Sequence, residues 1–468
     1  MGFVFYDTET TGTETSFDQI LQFAAIYTDN DLNELECLEI RCRLLPHVVP
    51  APGAMRVTGV TVSQLLDPAL PSHYEMIHLV REKFLEWSPA LFIGYNSLEY
   101  DEHLLRQAFF KTLRPPYLTN MQGNGRSDVL RMVQAASLFA PDAIVIPSLG
   151  GRPSFKLDRV APANGFNHEN AHDALADVRA TIHLCRLLIE QAPDIWSAFM
   201  RFSQKAAVID HVNSEEVFCL ADFYFGKPYA WLVTAIGANP ENPGDLYVYD
   251  LQVDPETLVG ISDDALVARL KRSPKPIRRV RSNGSPMIAA IEDAPEIAEA
   301  LSLGFEEVSR RAAFLRDNTE FKERLLASFQ ATREEKEPSP YVEEQIYDGF
   351  IEGQDAQLME QFHTLPWEQR LAVLDRFADE RLKISARNLI HAERPDILDE
   401  NVRLELDRLR ARRVLGLDGD VPWLTLPKAI EQADDLLSAA DSDEADRVLL
   451  GEHKAYLITL LEEATALL

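Results

Sequence analysis

Apolar and polar positions follow a strand-like rhythm at the start of this chain and a helical one soon after. The run Phe3-Val-Phe-Tyr6 reads as a buried strand. Ile20 to Tyr27 and Leu38 to Leu45 read as two more, separated by the polar turn Thr28-Asp-Asn-Asp31, so a three-strand meander is expected. Pro46 to Gly59 holds three prolines and two glycines and reads as loop. Helical patterns follow at Thr61 to Leu66 and His73 to Trp87. Leu91 to Tyr95 is then a short buried strand. Asp101 to Leu113 reads as a helix with Leu104, Leu105, Ala108 and Phe109 along one side. Ser127 is the expected N-cap of a helix through Phe139, and Ser154 of one reaching about Ala161. From Asp173 to Ile189, Leu175, Val178, Ile182, Cys185 and Ile189 recur at spacings of three and four, the mark of an amphipathic helix. Strands and helices mixed in this order predict an α/β domain over residues 1–193.

The texture changes from about Asp194. Strand-like runs at Phe218 to Tyr224, Tyr229 to Ala235, Leu246 to Leu251, Ile277 to Val280 and Met287 to Ile291 predict a small β-rich domain with attached helices, over 194–337. Asn239-Pro-Glu-Asn-Pro-Gly244 is turn chemistry between two of them. Glu334 to Pro340 reads as a linker. Everything beyond is helical in pattern, with Trp367, Leu371, Leu374 and Phe377 spaced for one face, which predicts an all-helical domain over 338–468. A length of 468 residues suits about three domains.

Composition adds little to this picture, and charge adds more. With 46% hydrophobic and 26% charged residues, the chain belongs to the ordinary globular class. Its net charge of −29 would argue against nucleic acid if charge acted only as a total, but it acts through local patches. From Pro338 onward there are 28 acidic against 14 basic side chains, so much of the excess lies in the C-terminal region. In contrast, Arg269, Lys271, Arg272, Lys275, Arg278, Arg279 and Arg281 crowd one segment without an acid. Cys37, Cys42, Cys185 and Cys219 form no Cys-x-x-Cys pair, stand among apolar or strand-like neighbours and read as buried free thiols in a reducing cytosol. The start lacks the pattern of a signal peptide, and no run approaches membrane-spanning length, so a cytoplasmic protein is expected.

The candidate chemistry starts in Asp7-Thr-Glu9. In a strand these two acids project on one side, about 7 Å apart, as carboxylates that hold hard cations do. Asp-x-Glu alone is common, and a solvated strand end is its blander meaning. Two further stretches answer it. Gly94-Tyr-Asn-Ser-Leu-Glu-Tyr-Asp101 sets a carboxylate at a helix start after a buried strand; alone, Asp101 would read as a cap. Asn170-Ala-His-Asp-Ala-Leu-Ala-Asp177 places His172 before a helix and Asp177 in its first turns. A third stretch, Pro153-Ser-Phe-Lys-Leu157, sets Lys156 ahead of the histidine. Four carboxylates from separate elements can bind two metal ions about 3.5–4 Å apart for in-line phosphoryl displacement. His172 is placed to take the proton of the attacking water.

Asp7-x-Glu9, Asn96-x3-Tyr-Asp101 and His172-x4-Asp177 resemble the three motifs of the DEDDh superfamily of 3′ to 5′ exonucleases. Gln22-Phe-Ala-Ala-Ile26, Pro52-Gly-Ala54, Thr58-Gly59, Gly94-Tyr-Asn96, Pro153 to Leu157, Ala163-Asn-Gly165 and Tyr341 to Phe350 are similar to the bacterial exonuclease I family. The resemblance implies a ribonuclease-H-like mixed-sheet nuclease domain, an SH3-like β-rich domain and a helical C-terminal domain. It implies Asp7, Glu9, Asp101 and Asp177 as ligands of two Mg²⁺ ions, with Mn²⁺ as the alternative, and His172 as general base.

The implied activity is degradation of single-stranded DNA from the 3′ end, processively, to 5′-mononucleotides, in DNA repair and recombination. Thr10, Asn96, Tyr95 and Lys156 are the expected substrate-binding residues, with Tyr95 or Tyr100 stacking on bases. A monomer is expected. The family also binds the acidic C-terminal tail of single-stranded-DNA-binding protein, through arginines at whose positions this chain has Gln134 and Ala140. Arg131, Arg152 and the Arg269 to Arg281 segment are the substitutes. Two rival readings are a DEDDh exoribonuclease or proofreading exonuclease, and a non-catalytic DNA-binding protein that keeps the fold.

Overall fold

The computed structural model describes residues 2–167, 173–333, 337–351, 353–440 and 442–468. Strands β1 (Gly2–Thr10), β2 (Ile20–Thr28) and β3 (Glu34–Arg41) form the antiparallel meander. After α1 (Pro52–Thr58), α2 (Val62–Leu65) and α3 (His73–Trp87), β4 (Ala90–Gly94) joins β1 in parallel. Helix α4 (Asp101–Lys111) leads to β5 (Gly125–Asp128), parallel to β4. The sheet order is β3-β2-β1-β4-β5, with β1 in the centre. Next come α5 (Val129–Phe139), a ribbon of β6 (Ser148–Leu149) and β7 (Arg152–Pro153), α6 (Leu157–Ala163) and α7 (Ala174–Gln191).

The central place of β1 explains its unbroken apolar run, since both of its faces are covered. Phe3 and Phe5 pack with Ile26, Val178 and Ile182, on the side of α7. Val4 and Tyr6 pack with Phe84, Phe92, Leu105 and Phe109, on the side of α3 and α4. The strand runs on through Asp7 to Thr10, so the acids lie within the sheet and the interlayer boundary ends in them.

Five local expectations need correction. Cys37 is exposed, because it stands on the edge strand β3, whereas Cys42, Cys185 and Cys219 are buried. The third strand is Glu34–Arg41 rather than Leu38 to Leu45, because an edge strand with an exposed face needs no apolar alternation; Leu44 packs instead with Leu21 and Met55. The Pro46 to Gly59 stretch contains α1, whose proline stands at a first-turn position where a missing N–H costs nothing, and Gly59 closes it at φ 67°. Ser127 lies in β5, and Asp128 caps α5 by accepting from Leu130 N–H. Helix α6 begins at Leu157, with Lys156 rather than Ser154 in the cap position.

The middle region starts with α8 (Pro193–Phe202) and α9 (Lys205–Ser214). Strands β8 (Phe218–Tyr224), β9 (Lys227–Ala238), β10 (Asp245–Asp250), β11 (Ile277–Arg281) and β12 (Met287–Ala289) make an antiparallel sheet in the order β11-β10-β9-β8-β12. Helix α10 (Asp263–Lys271) precedes β11, and α11 (Phe305–Asp317) and α12 (Thr319–Gln330) follow the sheet. Three of the seven basic residues of the segment are neutralised within the fold: Arg278 bonds Asp250, Arg279 pairs with Asp245 and Arg281 lies 3.7 Å from Glu99.

The C-terminal helices are α13 (Gly353–Thr364), α14 (Trp367–Leu374), α15 (Glu380–Glu393), α16 (Glu400–Leu415), α17 (Leu426–Ser438) and α18 (Glu444–Ala466). They are fastened to the nuclease layer. Gln107 donates to Glu343 O at 2.6 Å, Arg56 pairs with Asp446 at 2.8 Å and His453 Nε2 donates to Val60 O at 2.7 Å. Trp367, Leu371, Leu374 and Phe377 pack around Phe110 and Leu113 at the end of α4. Among the described residues no helix is long and apolar enough to cross a membrane.

Glu102 ties these regions together at the start of α4. Its Oε1 accepts from Thr119 at 2.6 Å, Arg106 at 2.8 Å and Arg126 at 2.9 Å, and its Oε2 accepts from Tyr6 at 3.1 Å. Arg126 also donates to Asn283 O in the middle region. Burial pushes this carboxyl up, but Arg126 and Arg106 outweigh it and hold it below its ordinary range. Its stabilisation is therefore present at neutral pH and is lost as pH falls through its lowered pKa. Replacing Glu102 by Ala leaves two guanidiniums buried without their partner. The urea unfolding midpoint at pH 7 should drop by the equivalent of about 3–5 kcal/mol, and an unchanged midpoint would contradict this reading.

Candidate active site

Asp7 and Glu9 occupy the end of β1 on the face that carries Phe3 and Phe5, opposite Ala24 and Gln22 of β2. A register shift between Glu9 and Thr10 ends the regular ladder there. Helix α7 crosses this face and brings Asp177 in from its first turn. One carboxylate oxygen from each of Asp7, Glu9 and Asp177 lies within 4.8 Å of the others, the one cation-competent cluster among the described residues.

Asp101 joins from the other layer. It is the first residue of α4, is buried, and accepts a 2.5 Å hydrogen bond from Thr8 Oγ1. Thr8 alternates with the two acids, so it points to the opposite side of the strand and fixes Asp101 at the strand's flank. Asp101 stands outside the 4.8 Å cluster, yet its charge raises the pKa of both Asp7 and Glu9.

The site is electrostatically strained. Burial and the charges of Asp101, Asp177 and Glu9 hold the Asp7 carboxyl well above its usual range. Burial, Asp177 and Asp101 push Glu9 up to about 8. Burial pushes Asp101 up to about 7, against the hydrogen bond from Thr8. An all-oxygen donor set whose members repel one another at neutral pH fits a hard divalent cation, which supplies the missing positive charge.

Sequence reasoning missed the residues that hold this arrangement. Asp173 caps α7 by accepting from Ala176 N–H, and its other oxygen accepts from Gln22 Nε2 at 3.0 Å and Arg41 Nη2 at 3.1 Å. Asp128 accepts from the backbone N–H groups of Asn96 at 2.9 Å and Leu98 at 3.1 Å, which braces the turn before Asp101. Asp128 lies in no recognisable motif, and Asp173 lies within the His172-x4-Asp177 stretch but its role is set by partners distant in sequence.

The expected substrate-binding residues are placed unequally. Asn96 is exposed at the exit of β4, in a left-handed conformation with φ 62°. Lys156 is exposed at the start of α6. Thr10 is buried, and its hydroxyl contacts Gly12 O at 2.8 Å and Tyr100 Oη at 2.7 Å. Tyr95 is half-buried and donates to Phe155 O at 2.5 Å. The hydroxyls of Thr10, Tyr95 and Tyr100 therefore serve the protein's own turns. His172 lies outside the described residues; Asp173 directly follows it.

Similarity to known proteins runs the length of the chain. Residues 4–185 match the exonuclease family model, 204–331 the exonuclease I SH3-like domain and 340–460 the exonuclease I C-terminal domain. The chain is 30% identical to exodeoxyribonuclease I of Escherichia coli K12 over 425 residues, 85% of this chain and 86% of that one. It is 30% identical to exodeoxyribonuclease I of Haemophilus influenzae over 405 residues, 81% of this chain and 84% of that one. The structure of E. coli exonuclease I in complex with a dA16 oligonucleotide superposes with a TM-score of 0.82 at 25% identity, covering 98% of this chain and 99% of that one. A moderately thermophilic exonuclease I from Methylocaldum szegediense gives 0.84 at 25% identity, with the same coverage.

The raised carboxyls set a sign for pH dependence. Glu9 at about 8 and Asp101 at about 7 bind protons in the folded state that the unfolded chain has released, so the cation-free protein loses stability as pH rises from about 5 to 8. In EDTA the melting temperature should fall across that window, and Mg²⁺ should raise it more at pH 8 than at pH 6. Asp7→Asn should raise the melting temperature in EDTA at pH 8. A flat or rising EDTA profile would refute the electrostatic account.

Proposed function

This chain belongs to the exonuclease I family, and from that premise we propose how its own residues cut single-stranded DNA from the 3′ end. The enzyme is an exodeoxyribonuclease of single strands, built from an exonuclease domain, an SH3-like domain and a helical C-terminal domain. We divide these at 1–193, 194–337 and 338–468.

Asp7, Glu9, Asp101 and Asp177 would hold two Mg²⁺ ions, with Mn²⁺ as substitute. When bound, such ions lower the pKa of the attacking water and steady the leaving 3′ oxygen. His172 takes the proton from that water. Asp173 supports this assignment by anchoring the chain immediately after His172 to Gln22 and Arg41. Thr8 holds Asp101 by a hydrogen bond, and Asp128 braces the turn at Asn96, which we assign to the terminal nucleotide. The observation that carries the reading is the convergence of Asp7, Glu9 and Asp177 within 4.8 Å, with Asp101 at their side.

Processive action belongs to this proposal: a strand held between three domains would not readily leave between cuts. We read the enzyme as a cytoplasmic monomer acting in repair and recombination. Arg131 bonds Asp222 and Ser285 O, so Arg152 is the freer of the two substitutes for receiving an acidic protein tail.

On 5′-labelled single-stranded DNA in Mg²⁺, the protein should release mononucleotides from a free 3′ end, fail on a 3′-blocked strand and stop in EDTA. Asp7→Ala should abolish cutting while DNA binding persists. His172→Ala should lower kcat by about 10²–10⁴-fold. Preference for RNA, or full turnover by Asp7→Ala, would overturn the assignment.

A further inference from the structure

The loop between β1 and β2 is held from outside its own domain. It leaves the sheet directly after Glu9 and Thr10, and Phe17, near its end, joins neither core layer of the nuclease sheet. The ring is nevertheless only 6% exposed. Three segments of the C-terminal region bury it. Its centroid lies 5.5 Å from that of Trp423, between α16 and α17, and 6.2 Å from that of Tyr341, edge-on at 82°. The Arg413 guanidinium of α16 faces it at 5.7 Å. The socket is itself braced. Trp423 Nε1 donates to Arg413 O at 3.0 Å, the Arg413 guanidinium covers Trp423 at 4.3 Å, and Tyr341 meets Trp423 edge-on at 4.9 Å. Arg413 also pairs with Glu343 at 2.9 Å, so it is fixed by a carboxylate while it stacks on a ring, which suits a planar guanidinium.

From Phe17 the hold passes to the strand that carries the acids. Asp18, the next residue, accepts from Thr11 Oγ1 at 2.7 Å and from Glu14 N–H at 2.7 Å. Thr11 Oγ1 accepts in turn from Gln19 N–H at 2.9 Å, and Thr11 O from Ala51 N–H at 2.7 Å. A side chain at Gly12 would set its Cβ 2.6 Å from Asp18 Oδ2, so the loop closes only on glycine. The Gly12 carbonyl is where the two layers meet. Thr10 Oγ1 lies 2.8 Å and Tyr100 Oη 2.7 Å from that oxygen, and the two hydroxyls are 2.7 Å apart. Thr10 directly follows Glu9, and Tyr100 directly precedes Asp101. One carbonyl therefore ties the chain beside both acids, on the β1 side and on the α4 side. The β1–β2 ladder is irregular here, its register shifting between Glu9 and Thr10, so the loop supplies the restraint.

We propose that Phe17 is a positioning residue: its capture by Tyr341, Arg413 and Trp423 lets the C-terminal region set the spacing of Glu9 and Asp101, and with it the affinity of the carboxylates for their cations. The C-terminal region then acts on the chemistry itself. The inference rests on the reading of Asp7, Glu9, Asp101 and Asp177 as cation ligands.

The test uses the full chain with Mn²⁺ as the probe, free Mn²⁺ being counted by electron paramagnetic resonance, and measures dT oligomer affinity separately in EDTA. Groups that orient ligands from behind change cation affinity by about 10–100-fold when removed. Phe17→Ala, and Trp423→Ala at a half-buried socket position, should weaken Mn²⁺ binding by about tenfold or more, with kcat at fixed Mn²⁺ falling in step. Oligomer affinity in EDTA should stay near that of the wild type. Phe17→Leu, which refills the socket, should recover most of the loss. Asp446→Ala cuts the separate tie to Arg56 between the same regions and should leave Mn²⁺ affinity unchanged, whereas a merely structural role would make the variants alike. Unchanged Mn²⁺ affinity in Trp423→Ala, an equal loss in Asp446→Ala, or oligomer affinity falling as far as Mn²⁺ affinity overturns the positioning role; should Phe17→Ala not fold, Trp423→Ala decides. A wild-type protein that takes up no Mn²⁺ would instead overturn the carboxylate reading beneath it.

Discussion

Four carboxylates that cannot all be charged at neutral pH without a cation are the constraint around which this protein is built. Their cost is set by burial as well as by proximity: β1 is the central strand of a sheet covered on both faces, so acids at its end lose much of their water. A surface strand could carry Asp7 and Glu9 cheaply, but it would hold a cation weakly. The fold meets the cost with surrounding order. The aromatic layers on both sides of β1, the cap at Asp173 and the hydrogen bond from Thr8 all keep the acids from moving apart.

The two layers contribute different halves of the site. Asp7, Glu9 and Asp177 share the α7 face, whereas Asp101 arrives from the α4 layer and is held across the strand by Thr8. The neighbour of Asp101, Glu102, faces into that layer and carries Arg106 and Arg126, and Arg126 reaches the middle region. Two successive acids at one helix start thus have opposite electrostatics. Glu102 is held below its ordinary pKa by cations, and Asp101 is pushed to about 7 by burial. The first is held by cations, whereas the second is held by the hydrogen bond from Thr8. Further along α4 the helix meets the C-terminal region, where Gln107 donates to Glu343 O.

The sequence made the candidate acids legible because each sits where a pattern changes: at the end of an apolar run, at a helix start after a buried strand, or in the first turn of an amphipathic helix. The helix His73–Trp87 and the strand Phe218–Tyr224 were readable to the residue for the same reason. What escaped has a common physical cause. Gly125–Asp128 pairs in parallel with β4 through backbone bonds, and its side chains carry no apolar signature. Thr8, Gln22, Arg41 and Asp128 act through partners remote in sequence, which no local period encodes. The basic segment misled in the opposite direction, since Arg278, Arg279 and Arg281 are spent on Asp250, Asp245 and Glu99.

That last point redirects where substrate affinity comes from. With Arg278, Arg279 and Arg281 neutralised, positive charge open to a phosphate backbone lies elsewhere, at Arg152, Lys156 and Lys227 beside the β8–β9 turn as well as at Lys271, Arg272 and Lys275. An acidic chain can bind a polyanion only if such charges are local and if something other than charge shares the work. Exposed rings can share it, because stacking is indifferent to the protein's net charge and to base identity. Tyr95 and Tyr100, whose hydroxyls are tied into the nuclease turns, are less available for this. Carboxylates that repel phosphate until a cation arrives cannot themselves hold the strand, so local positive charge and neutral surface elsewhere must do so.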